Sequence, residues 1–201
     1  IGGGSSVNGM VYIRGNPQDY DGWEEMGAQG WGHRHVLPYF RRAETRAEGG
    51  DDYRGGEGPL HTSYGPMTNP LYSIFVKAAA QAGYATTEDV NGYRQEGFGR
   101  MDRTIHKGKR WSAASAYLKP ALKRKNLTLI THAHVTKILC DGRRATGLHY
   151  VHSGSINTNA PATLHARRAV ILASGPINSP HLLKLSGIGP AEELKAHGIP
   201  V

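Results

Sequence analysis

IGGGSSVNGMVYIRG, residues 1–15, is the stretch from which the fold of this 201-residue chain is read. Three consecutive glycines let the backbone turn tightly and present successive amide N–H groups on one side, and Ser5 and Ser6 set hydroxyls beside them. A concave array of that kind suits a pyrophosphate or the edge of a flavin ring. It is not a phosphate-binding P-loop, because no Gly-Lys-Ser or Gly-Lys-Thr follows. No GxGxxG fingerprint occurs anywhere in the chain, so a mononucleotide half that would hold an adenosine diphosphate lies elsewhere or does not exist. On composition alone, a flexible turn without a ligand explains the run equally well.

Working outward, the nearest comparable signal lies far downstream. Residues 168–174 read as a buried strand, too apolar for a half-exposed one, which breaks at Gly175 and Pro176 into a helical pattern over 178–185. In an open α/β sheet, ligands sit beyond the carboxyl ends of strands, where a helix N-terminus offers unpaired N–H groups. Ala173, Ser174 and Gly175 occupy that place, and a purely structural turn is as good a reading. Between these ends, Asn69 and Pro70 form an N-cap and first-turn pair. The run that follows, 71–82, places Leu71, Ile74, Phe75, Ala78 and Ala82 along one helical face before Gly83. Residues 49–70, dense in Gly and Pro, mark a crossing between structural units, and 88–99 read as a loop leading into a strand near 100–105. Residues 127–132 and 135–140 are strand-like, and Asp141-Gly142 is a hairpin signal into 145–152, so a small antiparallel sheet is expected.

The chain opens inside a glycine-rich turn without Met and stops just after Gly198, and it is expected to be an internal piece of something longer. No apolar run is long enough to cross a membrane, and a soluble segment is expected, cytoplasmic or peripheral at the inner face of a membrane. Cys140 is the lone cysteine, which excludes an internal disulfide and mildly favours a reducing interior. The net charge of +8 is uneven, −3 over residues 1–100 and +11 over 101–201. Clusters such as Lys107, Lys109, Arg110 and Lys119, Lys123, Arg124, Lys125 fall at turns and helix ends without interleaved aromatics. They read as solvated faces with some field for an anionic cofactor, not as a nucleic-acid surface. His33 with His35 and His132 with His134 have the spacing of a metal pair on a strand, but no third ligand is evident and no metal is expected. Trp23, Trp31 and Trp111 could cage a quaternary ammonium, and packing is the favoured reading. The one rival from another class is SGIGPAEEL, residues 186–194. It looks like the turn of a helix-hairpin-helix nucleic-acid-binding module, but Glu192 and Glu193 would repel a phosphate backbone.

Two motifs carry a resemblance. IGGGSSVNGMVYIRGNPQDYD, residues 1–21, resembles the first signature of the glucose-methanol-choline oxidoreductase family, and GPINSPHLLKLSGIG, residues 175–189, is similar to the second. DVNGYRQEGFG (89–99), the spacing of Gly108, Arg110 and Ser112, and NLTLITHAHVTKIL (126–139) also look like the family. Within the family, RGNPQDYDGW and LPYFRRAET look most like the choline dehydrogenases.

The resemblance implies an α/β fold: a partial FAD-binding, Rossmann-like domain, residues 1–54 and 107–201, with an inserted α+β substrate-domain segment, 55–106. It implies FAD as cofactor. Gly3, Gly4, Ser5, Asn8, Gly9, Met10 and Val11 would meet pyrophosphate and isoalloxazine, the backbone of Val135 would meet adenine, and Ser174 and Gly175 would approach the cofactor from the second signature. Asn91, Glu96 and Phe98 are placed near substrate. The implied reaction is oxidation of a primary, choline-like alcohol to the aldehyde by hydride transfer to flavin N5, with a quinone-like acceptor or oxygen taking the electrons. The base in relatives is a histidine near the C-terminus, outside this segment, so no catalytic residue is assigned here. The segment alone is expected neither to catalyse nor to hold FAD tightly.

Overall fold

The computed structural model describes residues 1–152 and 161–201. The chain divides into two compact units, Ile1–Leu127 and Thr128–Val201. Both mix helices and strands, so the α/β expectation holds.

The first unit is built on a four-stranded sheet of order β1-β4-β3-β2, from β1 (Val11–Tyr12), β2 (Glu44–Arg46), β3 (Leu60–Tyr64) and β4 (Asp102–Arg103). β4 lies antiparallel between β1 and β3, while β2 runs parallel to β3. Two helices absent from the sequence reading connect β1 to β2. The first, α1 (Pro17–Glu25), starts on a capping box: Asn16 accepts from the Gln18 amide at 3.0 Å and Asp19 accepts from the Asn16 amide at 2.7 Å, with Pro17 in the first turn. The second, α2 (His33–Ala43), packs on it through Tyr20, whose ring meets Trp23 edge-on at 5.2 Å and Phe40 at 5.6 Å. The close return from β2 to β3 needs glycine, because a Cβ on Gly55 would strike the carbonyl oxygens of Arg41 and Glu44.

The expected helix forms as α3 (Pro70–Gln81), with Asn69 accepting from the Leu71 amide at 2.9 Å and Gly83 ending it at φ +85°. Its apolar face is open, however. Leu71, Ile74 and Phe75 are all more than half exposed, and Ala79 is the buried residue. The strand expected near 100–105 is present in two pieces, β4 and β5 (Ile105–His106), the second hairpinned to β6 (Lys109–Arg110). A π-helical turn, Ala114–Leu118, then runs into the short α4 (Lys119–Ala121).

The second unit holds the expected hairpin, β7 (Ala133–Asp141) against β8 (Arg144–His152), closed by Gly142 at φ +55°, and adds β9 (Ala162–His165) on the far edge of β8. Its core is Ile138, Tyr150, Leu182 and Leu194. Leu182 belongs to α5 (Gly175–Leu185) and Leu194 to α6 (Ala191–Ala196). Ser186 fastens α5 to β7 by accepting from the Ile138 amide at 2.8 Å and donating to the Leu182 carbonyl at 2.7 Å.

Two strand expectations fail. Residues 127–132 join no ladder, with His132 turned into the left-handed region at φ +54°, and 168–174 form neither a strand nor a buried segment, with Ile171 87% exposed. An apolar run becomes a buried strand only when neighbouring strands satisfy its backbone, and among the described residues none lies beside either stretch.

Candidate functional site

The glycine-serine loop folds as a single 3-10 turn, Gly3–Ser6, entered through Gly2 at φ +97° and Gly3 at φ +56°. Its two serines close it from within: Ser5 Oγ donates to the Gly2 carbonyl at 2.5 Å and Ser6 Oγ to the Ile1 carbonyl at 2.8 Å. The backbone beyond them is open. A Cβ built on Gly3, Gly4 or Gly9 would meet no atom within 4 Å, and Val7 is 83% exposed. A ligand can therefore lie directly against the main chain at three positions, which is the space a planar ring or a pyrophosphate needs.

Met10 stands in the left-handed region at φ +65°, which costs a non-glycine residue roughly 1–2 kcal/mol. Three hydrogen bonds hold it there. Its N–H donates to Asn8 Oδ1 at 3.0 Å, and its carbonyl accepts from the Thr104 amide at 2.8 Å and from Thr104 Oγ1 at 3.3 Å. Backbone strain fixed by surrounding bonds is a mark of functional segments. Val11 follows in β1, opposite Arg103.

Directly after β1 the surroundings change from open to closed. Arg14, 8% exposed, gives its Nη2 to Glu44 Oε2 at 2.6 Å, its Nη1 to the Tyr53 carbonyl at 2.5 Å, its Nε to the Tyr12 hydroxyl at 3.0 Å and its backbone N–H to Asn91 Oδ1 at 2.8 Å. Arg54 grips the same Glu44 with two bonds, at 2.6 and 3.0 Å, and reaches Asp89 at 2.6 Å and Asp102 at 2.8 Å. Glu44, Arg54 and Asp102 are sealed from water. Burial pushes the Glu44 carboxyl up, but the Arg54 and Thr62 hydrogen bonds and the charges of Arg54 and Arg14 outweigh it and hold the group below its ordinary range. Burial likewise raises the Tyr12 phenol. These charges pair chiefly with one another, and the cluster braces β1.

Six expected contact residues, Gly3, Gly4, Ser5, Asn8, Gly9 and Met10, thus lie on one continuous loop, and Val11 opens β1 directly after it. The remaining three belong to the second unit. Val135 sits in β7 beside a register shift and opposite Tyr150. Ser174 caps α5 without a side-chain bond to the helix, and Gly175, at φ +88°, leaves open space where a Cβ would stand. Asn91, expected near substrate, is 3% exposed and sits inside the ionic cluster, donating to the Tyr12 carbonyl at 3.0 Å and to Asp102 at 3.3 Å. Phe98 packs edge-on against Phe75 at 5.5 Å.

His33 and His35 lie on α2, where alternate residues diverge, and no metal-capable cluster occurs among the described residues. Trp23 and Trp31 do approach, at 6.5 Å, but Trp111 is elsewhere, against the stacked rings of His61 and His106. The 186–194 turn carries its two glutamates in ion pairs, Lys184–Glu193 and Lys195–Glu192, and nothing supports the nucleic-acid reading. Sequence reasoning missed Arg14, Glu44, Arg54, Asp89 and Asp102 as a group, since no spacing links them.

The family model described as GMC oxidoreductase matches residues 1–200. An oxygen-dependent choline dehydrogenase of Brucella anthropi is 53% identical over 201 residues, covering 100% of this chain and 36% of that protein. The mitochondrial choline dehydrogenase of Homo sapiens is 52% identical over 200 residues, covering 100% of this chain and 33% of that protein. Among solved structures, an FAD-dependent oxidoreductase from Chaetomium thermophilum superposes with a TM-score of 0.90 at 31% identity, over 98% of this chain and 36% of that one. Pyridoxine 4-oxidase from Mesorbium loti superposes with a TM-score of 0.88 at 33% identity, over 98% and 38%. The chain spans about a third of the length of the curated relatives it matches.

Proposed function

The chain belongs to the glucose-methanol-choline oxidoreductase family, and from that premise we propose that the enzyme it forms part of is an FAD-dependent dehydrogenase oxidising choline or a similar primary alcohol to the aldehyde. The observation that carries the proposal is the open main chain at Gly3, Gly4 and Gly9, joined to the names of relatives 52–53% identical over the chain's full length.

The residues fit FAD. Glycines without neighbours on one side admit a ring or a pyrophosphate to backbone distance, and the strained, triply bonded Met10 fixes the loop's exit. Gly3, Gly4, Ser5, Asn8, Gly9, Met10 and Val11 are assigned to pyrophosphate and ring, Val135 to adenine, and Ser174 and Gly175 to the second-signature contact. Residues 1–54 and 107–201 are assigned to the FAD-binding domain and 55–106 to the substrate domain. When bound, FAD supplies a two-electron acceptor for the hydride of the carbinol carbon, while a base takes the hydroxyl proton. This chain's own part is to seat the cofactor and keep its loop in shape; none of its histidines is assigned the base. Oxygen or a quinone-like compound is the proposed acceptor. A location in the cytoplasm or at the inner face of a membrane is proposed, and among the described residues no helix is long and apolar enough to cross a membrane.

The test is to purify the full-length protein, extract its flavin and follow choline oxidation by aldehyde formation, with oxygen uptake compared against reduction of a quinone analogue. Yellow protein that converts choline supports the reading. Colourless protein that takes up no added FAD overturns it.

A further inference from the structure

The open loop is held from outside itself, and the holding group is far away in sequence. Arg110, at the end of the β5–β6 hairpin, points one guanidinium nitrogen at three acceptors of the loop: the Asn8 carbonyl at 2.7 Å, Asn8 Oδ1 at 2.9 Å and the Ser5 carbonyl at 3.2 Å. The residues just beyond it complete the grip. The Ala113 amide donates to Ser5 Oγ at 2.9 Å, and Ala114 comes so near Gly2 that a Cβ there would lie 3.2 Å from its own.

Asn8 joins this grip to the strained residue. Its Oδ1 accepts from both Arg110 Nη1 and the Met10 amide, so the guanidinium orients the group that helps keep Met10 left-handed. The anchor behind Arg110 is firm. Trp111 donates its ring N–H to the Pro59 carbonyl at 2.7 Å and its amide to the Thr104 carbonyl at 2.8 Å, and its ring packs edge-on against His106. Thr104 in turn holds the Met10 carbonyl. The hairpin therefore contacts both ends of the open stretch and leaves its glycine face clear.

We propose that Arg110 is the positioning residue of the flavin loop: it fixes Ser5 and Asn8 before the cofactor arrives, so that FAD meets a preformed main-chain surface. The proposal rests on the assignment of the loop to FAD. A charged donor shared among three carbonyl-type oxygens suits this task, because charge-assisted bonds are stronger than neutral ones. Preforming the loop also lowers the ordering cost that binding would otherwise bear.

The test uses the full-length protein, freed of FAD, as wild type, Arg110→Ala and Arg110→Lys. Amide hydrogen exchange is read over residues 2–11, and FAD affinity is measured by titration. In Arg110→Ala the loop amides exchange at least about tenfold faster while those of the sheet keep wild-type rates, and the FAD dissociation constant rises on the order of tenfold to a hundredfold. Added guanidinium restores both in the alanine variant. Loop exchange at the wild-type rate in Arg110→Ala overturns the proposal, as does an equal rise across the whole first unit. Should the alanine variant not fold, Arg110→Lys decides by the same two criteria. Exchange in the cofactor-free protein involves no flavin, so a wild type that never binds FAD sinks the functional reading and leaves the exchange result standing. A wild type that binds FAD, with an unaltered loop in the variants, sinks only the role of Arg110.

Discussion

Val7 is 83% exposed and Arg14 is 8% exposed, although one short run of sequence contains both. The loop around Val7 has open main chain and a strained Met10, while the cluster around Arg14 locks Glu44, Arg54, Asp89 and Asp102 into a sealed ionic network. The difference teaches how a binding loop is kept both accessible and shaped. The loop's shape is held by bonds to its neighbours, from Arg110 of the β5–β6 hairpin and from Thr104, while the ionic cluster braces the strand that follows it.

If that division is right, damage to the cluster reads as lost stability and damage to the loop as lost cofactor. The largest stability effect is expected for Glu44→Ala, which strands two buried guanidiniums and should cost about 3–5 kcal/mol in chemical denaturation of the full-length protein. A loss below about 1 kcal/mol would break the comparison. Gly55→Ala comes next, at about 3 kcal/mol, because its methyl group overlaps backbone oxygens of Arg41 and Glu44 that cannot move aside.

Acid sharpens the same contrast. The Glu44 carboxyl has its folded pKa depressed below the ordinary 4.5, so the stability it contributes is present above that value and fades as pH falls below it. Glu44→Gln should flatten the stability profile in that acid window and leave its shape above pH 5 unchanged. A smaller effect, of opposite sign, is expected at the loop itself. Met10→Gly removes the left-handed strain and should raise stability by roughly 1 kcal/mol, provided the Thr104 bonds persist. A destabilised glycine variant would mean that the Met10 side chain, and not its backbone, matters to the fold.

What the sequence disclosed follows the range of the forces involved. The Asn69 cap, the Gly83 stop and the Asp141-Gly142 turn act over a few residues, and α3 and the β7–β8 hairpin form where they indicate. The Asn16, Pro17 and Asp19 signals of α1 are equally local and went unread beside the louder glycine run. The run 169–173 misled because burial depends on neighbours that a strand pattern does not contain. The site divides in the same way. Gly3, Gly4, Ser5, Asn8, Gly9 and Met10 were legible as a contiguous motif. The group that orders them was not: Arg110 stood out by its spacing, but its partners lie 102 and 105 residues away. Glu44 and Arg54 carry no sequence signal that pairs them, and only the folded contacts reveal them as buried.

The most direct measurement is FAD titration of the full-length apoprotein carrying Gly4→Val. Gly4 has ordinary backbone angles and empty space beyond it, so the added side chain should leave stability within about 0.5 kcal/mol of wild type. It would occupy the ground where the flavin is to lie. FAD affinity is predicted to fall by at least about a hundredfold at unchanged stability, and a variant that takes up FAD as tightly as wild type would contradict the account.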